Sequence, residues 1–161
     1  MKIISSSGKG DFKLYEKDQE VYELDYTNWF TGRATALYKG NSIELKPKNI
    51  WTSKVAIFKN DREIGDITFT LKGHMIIRTE KQNREDCSYV LKNVGNWKLR
   101  FELYDEADVL LLTMTSINNW TKLNYDYDIE FAEATLEMDV QELLIYCGYA
   151  ANLYLAYISA M

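Results

Sequence analysis

Three carboxylates, Asp126, Asp128 and Glu130, alternate with Tyr125, Tyr127, Ile129 and Phe131. On an extended strand such alternation puts all three on one face. A row of hard oxygens suits Ca²⁺, but that ion takes about six to eight of them, and a single strand does not supply that number. No glycine-containing calcium loop is present, so the three residues are a calcium candidate set beside a plainer reading, a solvated strand face paired with neighbouring lysines. A second group is basic. Residues 33–62 hold Arg33, Lys39, Lys46, Lys48, Lys54, Lys59 and Arg62 against Glu44 and Asp61, with Trp51 among them. Lysines beside an amphipathic tryptophan suit an anionic membrane surface. Arg33, Lys39, Lys46, Lys48, Trp51 and Lys54 are the candidate lipid-facing set, and a barrel face balancing the acidic C-terminal half is the alternative.

The rest of the chemistry is sparse. His74 is the only histidine, so mechanisms that need two are excluded, and its place beside Gly73 reads as a surface turn. There is no serine nucleophile elbow, zinc-binding histidine pair or phosphate-cradling glycine loop. Gly8-Lys9-Gly10 is too short for the last. No catalytic residue, metal ligand set or cofactor is assigned. Cys87 and Cys147 have neither metal nor redox spacing and read as reduced thiols of a cytosolic chain. Met1 to Ile4 is too short an apolar stretch for a signal peptide, so the expected location is cytoplasmic.

Charge is uneven. Residues 1–101 carry 18 Lys/Arg and 13 Asp/Glu, whereas residues 102–161 carry one lysine and 11 acidic residues, within an overall −5. Opposite halves can neutralise each other across a sheet, or the basic half can serve an anionic partner. Nucleic acid is not the expected partner, because the sequence pI is near 5.0 and no nucleic-acid motif occurs.

From Phe12 to Phe131 the chain reads as short strands. Trp97 to Leu103 and Ile67 to Leu71 alternate apolar and polar with period two, and Gly65 marks a bulge. Val55 to Phe58 and Val109 to Leu112 are short apolar runs, the pattern of strands covered on both faces. Lys59-Asn60-Asp61-Arg62, Lys39-Gly40-Asn41, Lys72-Gly73-His74, Val94-Gly95-Asn96 and Tyr104 to Asp108 read as turns. Only one proline, Pro47, is present and no linker, which predicts a single domain with a frayed polar end over 1–11. Glu137, Asp139 and Glu142 suit the first turn of a helix. From Leu143 to Met161 there is no charge, and apolar residues surround the helix. Such a helix spans a membrane or lies buried. Four tyrosines, Asn152 and an acidic flank argue against a transmembrane segment. A flat sheet covers one side of a helix and a closed barrel covers all, and barrels of more than about eight strands have room for a filler. The prediction is a mostly β fold: a closed antiparallel β-barrel of about 12 strands over 12–135 enclosing a hydrophobic C-terminal α-helix over 137–159.

The segment Leu136-Glu137-Met138-Asp139-Val140, running into Leu143 to Tyr157 and preceded by Tyr125 to Phe131, resembles the C-terminal part of phospholipid scramblases. The order of strands and final helix also resembles the tubby-like and LURP-one-related domains, which share a barrel wrapped around a hydrophobic C-terminal helix. The resemblance implies phosphoinositide binding through basic residues of the barrel surface, or association with calcium and lipid. The Cys- and Pro-rich N-terminal regions of scramblases are absent from this sequence. The expected function is a non-enzymatic binding or scaffold domain whose partner is an anionic lipid headgroup or another protein. The alternatives are a lipocalin-like barrel for an apolar ligand, with its helix packed outside, and a barrel enzyme working through paired carboxylates.

Overall fold

The computed structural model describes residues 1–49 and 53–160. Its strands are β1 (Lys2–Ser5), β2 (Phe12–Glu16), β3 (Gln19–Asn28), β4 (Arg33–Tyr38), β5 (Asn41–Pro47), β6 (Lys54–Lys59), β7 (Arg62–Phe69), β8 (Met75–Glu80), β9 (Asp86–Asn93), β10 (Arg100–Tyr104), β11 (Leu110–Asn119) and β12 (Asn124–Phe131), followed by one helix, α1 (Val140–Ser159). Each strand pairs antiparallel with the next, and β12 pairs antiparallel with β1, so the sheet closes into a twelve-stranded barrel. The even strand number is what lets an up-and-down meander close without a parallel pair.

The turns follow from backbone chemistry. Lys17-Asp18, Lys39-Gly40 and Asn60-Asp61 join their strands with both residues at positive φ, the geometry that matches strand twist in two-residue hairpins. At Gly65 the β6–β7 register shifts. A Cβ there would lie 2.0 Å from the Arg78 carbonyl oxygen, so only glycine fits this bulge.

Three expectations need correction. The N-terminus is not frayed: Lys2–Ser5 is the strand that closes the barrel between β12 and β2, because Ile3 is buried while its neighbours are not. The strand expected over Trp97 to Leu103 covers only Arg100–Tyr104. Gly95 folds against the Lys98 carbonyl, so Trp97 and Leu99 imitate strand alternation inside a tight turn. The helix starts at Val140 rather than 137, since Asp139 takes the N-cap and accepts from the amides of Gln141 and Glu142 at 3.0 and 3.4 Å.

The helix lies in the lumen. Every residue from Glu142 to Ala151 is buried, which a helix resting on one sheet face cannot achieve. Aromatic rings reach it from strands around the circumference: Tyr26 of β3 stacks on Tyr149 at 5.7 Å, Phe69 of β7 meets Tyr157 at 4.3 Å, and Phe101 of β10 meets Tyr154 edge-on at 5.4 Å. Phe12 of β2 lies under Gly148, where an added Cβ would approach its ring to 2.5 Å. In an exposed helix Gly→Ala gains about 1 kcal/mol of propensity. Here overpacking opposes that gain and costs typically about 1–3 kcal/mol, so Gly148→Ala is expected to lower the urea midpoint. A raised midpoint would mean that α1 is not pressed against β2.

The helix entry is fastened by polar groups. Lys39 Nζ lies 2.7 Å from Asp139, and the Tyr38 hydroxyl donates to the same carboxylate at 2.9 Å. Lys59 Nζ lies 2.8 Å from the buried Glu142, which also accepts from Tyr146 at 2.9 Å. Lys81 pairs with Glu137. Lysines of the basic half thus meet carboxylates of the acidic half, the mutual neutralisation expected from the charge asymmetry. Burial alone would raise the Asp139 carboxyl, but hydrogen bonds from Lys39 and Tyr38 outweigh it and hold the group below the usual carboxylate value. A lowered folded value gives stability that is present above the unfolded pKa and lost as pH falls through the folded one. Asp139→Ala is therefore expected to cost about 0.5–2 kcal/mol near neutrality. The gap between variant and parent in urea midpoint should close in strong acid, and a gap of unchanged size there would show that the carboxylate is not the agent.

Candidate functional site

In an antiparallel meander, successive connections alternate between the two ends of the barrel. Connections 17–18, 39–40, 60–61, 81–85, 105–109 and 132–139 gather where α1 enters, and 6–11, 29–32, the described residues 48, 49 and 53 between β5 and β6, 70–74, 94–99 and 120–123 gather where it emerges. The ends differ in kind. The entry end carries nine carboxylates against four cations in its connections. Among the described residues of the exit-end connections, five of the six connections carry one lysine each (Lys9, Lys48, Lys72, Lys98 and Lys122), and the one carboxylate side chain is Asp11. Asp11 is spent internally, accepting from the Tyr26 amide and the Ser7 hydroxyl, each at 2.6 Å.

The exit end also concentrates exposed apolar side chains. Phe30, Leu71, Trp97, Trp120 and Leu123 are each more than three-quarters exposed. Trp29 packs on Phe30 at 4.1 Å and is itself over half exposed. Tyr157 and Ile158 add the last turn of α1, also exposed. Soluble surfaces scatter such residues over the whole molecule, and their concentration at one end marks an interaction face. Here the set has a reason in the backbone: each tip sits in a tight connection where its side chain cannot turn back to the filled lumen.

The lysines of this end are mostly unengaged. Among the described residues, Lys9, Lys72, Lys98 and Lys122 are exposed and form no ion pair with a carboxylate. Lys48 differs, lying 3.1 Å from Glu63. The result is a ring of free positive charge interleaved with tryptophan, phenylalanine and leucine.

The residues singled out from sequence fall differently. Trp51 lies outside the described residues. Lys39 sits at the opposite end, on Asp139. Arg33, Lys46 and Lys54 lie on the outer wall near the exit end, each held by a carboxylate: Arg33 and Lys46 on Glu44, Lys54 on Asp66 at 3.5 Å. Partial burial would raise the Glu44 carboxyl, but Lys46 and Arg33 outweigh it and lower it, as expected for a neutralised cluster. These residues do not form one free basic patch.

Asp126, Asp128 and Glu130 do share the outer face of β12. Asp126 accepts from the Ser5 amide at 2.8 Å and the Asn119 side chain at 2.9 Å, and Asp128 lies 3.8 Å from Lys2. Glu130 is exposed. Among the described residues no group of three His, Cys, Asp or Glu is placed to hold a metal ion. Cys87 and Cys147 are both buried and unjoined, and burial raises both thiols, so neither is primed as a nucleophile. His74 is half-buried in the 70–74 connection, its amide donating to Thr70 Oγ1 at 3.2 Å.

No helix among the described residues is long and apolar enough to cross a membrane. No family model, no curated protein and no solved structure matches the chain.

Proposed function

We propose that this protein is a non-enzymatic binding module that docks the exit end of its barrel on an anionic membrane surface. The observation that carries the proposal is the ring of unpaired lysines between exposed tryptophan, phenylalanine and leucine tips. Tryptophan favours the headgroup level of a bilayer, where its ring is apolar and its N–H stays wet. Basic residues near an anionic leaflet contribute about 1 kcal/mol each. The acidic entry end, pointing away, would be repelled by the same surface, and this fixes the orientation with the barrel axis toward the bilayer.

The closed barrel around a C-terminal helix supports kinship with the tubby-like, LURP-one-related and scramblase domains. The docking face proposed here differs from the one that resemblance implied, since it uses loop tips rather than the barrel wall. A lipocalin-like interior site finds no room, because α1 occupies the lumen.

Co-sedimentation with vesicles tests the reading. Binding is expected to vesicles containing phosphatidylserine and not to pure phosphatidylcholine. It should weaken as salt shortens the screening length to below about 10 Å. Equal binding to both vesicle types, or none to either, would refute it and leave an acidic protein surface as the partner to seek.

A further inference from the structure

Between the emerging helix and the connections 6–11, 29–32 and 120–123 lies a cleft of about 510 Å³. It is amphipathic. Trp29, Leu123, Leu153 and Ile158 line its apolar side, Tyr149 is at its inner wall and Lys9 is at its mouth. Among the described residues, no carboxylate side chain lines it. The backbone carbonyl oxygen of Lys122 packs against the 6–11 connection, 3.2 Å from where a Cβ on Gly8 would sit.

The cleft is built rather than left over. Asn152 Nδ2 donates to the Gly10 carbonyl at 2.8 Å, and the Tyr149 hydroxyl donates to the Gly32 carbonyl at 2.7 Å. These bonds tie two loops to the helix. Gly10 has φ +109°, and a Cβ there would meet the Tyr26 ring at 3.0 Å and Asn152 at 3.3 Å. Glycine is thus required for the loop to lie this close. The volume falls within the range of small-ligand sites, about 300–1,000 Å³.

On the premise that this end meets a membrane, we propose that the cleft takes one anionic phospholipid, its phosphate at Lys9 and one acyl chain along Leu153 and Ile158. Generic attraction to a charged surface needs no cavity. An apolar slot with an exposed lysine and, among the described residues, no carboxylate side chain, opening on the docking face, matches an amphiphile whose head is negative and whose tail is not. The protein then holds a single lipid in place as well as adhering to the bilayer.

The test uses the full chain and monomeric dihexanoyl phosphatidic acid, followed by amide NMR at Gly8, Gly10 and Asn152. Saturable shifts at these residues are expected, with inorganic phosphate weaker by at least about tenfold because it lacks the chain. Ala156 lines the cleft and is exposed, so Ala156→Trp fills the slot at little risk to the fold. That variant should lose the monomeric lipid yet still sediment with phosphatidylserine vesicles. Absence of saturable shifts in a wild-type protein that sediments with vesicles would overturn the cleft proposal alone. Equal affinity for inorganic phosphate would overturn it too, by removing the acyl chain from the account. Saturable lipid binding without sedimentation would support the cleft and overturn the membrane reading.

Discussion

A chain ending at Gln141 is expected to be unfolded throughout, not merely shortened. Leu143, Leu144, Ile145, Tyr146 and Tyr149 are fully buried. At roughly 1.5–3 kcal/mol for a large buried side chain, the five contribute about 8–15 kcal/mol, an upper figure because the unfolded chain already hides some surface. That matches the whole net stability of a domain, about 5–15 kcal/mol. The loss would also strip the inner wall, where Leu14, Leu24, Ile43, Leu45, Ile67 and Ile77 would face an empty lumen. Ala151→Asp, at a fully buried position, should do nearly the same through an unpaired interior charge. Amide NMR dispersion and thermal melting of residues 1–141 check this. A dispersed β spectrum with a cooperative transition would show that the barrel stands without its helix.

Reversing the four free lysines, Lys9, Lys72, Lys98 and Lys122, to glutamate should abolish vesicle binding and leave the fold intact. All four are exposed and carry no ion pair, so their loss breaks nothing inside the molecule. At about 1 kcal/mol each near an anionic leaflet, neutralising them would already weaken binding by about 10³-fold, and reversal adds repulsion. Glutamate at Lys46 and Lys54 should matter far less, since these already neutralise Glu44 and Asp66. Vesicle affinity that survives the fourfold reversal, measured at low salt, would remove the loop ring from consideration.

The architecture was legible because a few signals were physically forced. Leu143 to Met161 is apolar on every side, which requires a surrounding wall, and closely spaced strands and turns gave the wall its size. The Asn60-Asp61 hairpin and the Gly65 bulge were readable from backbone preference alone. The closing strand β1 escaped notice because four residues are too few to show a period. Trp97 and Leu99 misled because alternation reports side-chain direction and not what covers it.

The binding face was hidden for a different reason. Lysine counts along a linear segment favoured residues 33–62, where partners such as Glu44 and Asp66 lie across neighbouring strands and only the register reveals them. The free lysines are scattered singly over the chain from Lys9 to Lys122. One signal was available: Leu71-Lys72, Trp97-Lys98 and Lys122-Leu123 place an apolar tip beside a lysine in connections that a meander sends to the same end.

The central claim is that these tips enter a bilayer, and tryptophan fluorescence reads it directly. In a variant keeping Trp97 alone, with the other tryptophans changed to phenylalanine, vesicles of brominated phosphatidylserine should quench the emission and unbrominated ones should shift it to the blue. Binding with neither quenching nor shift would place Trp97 in water and contradict the account.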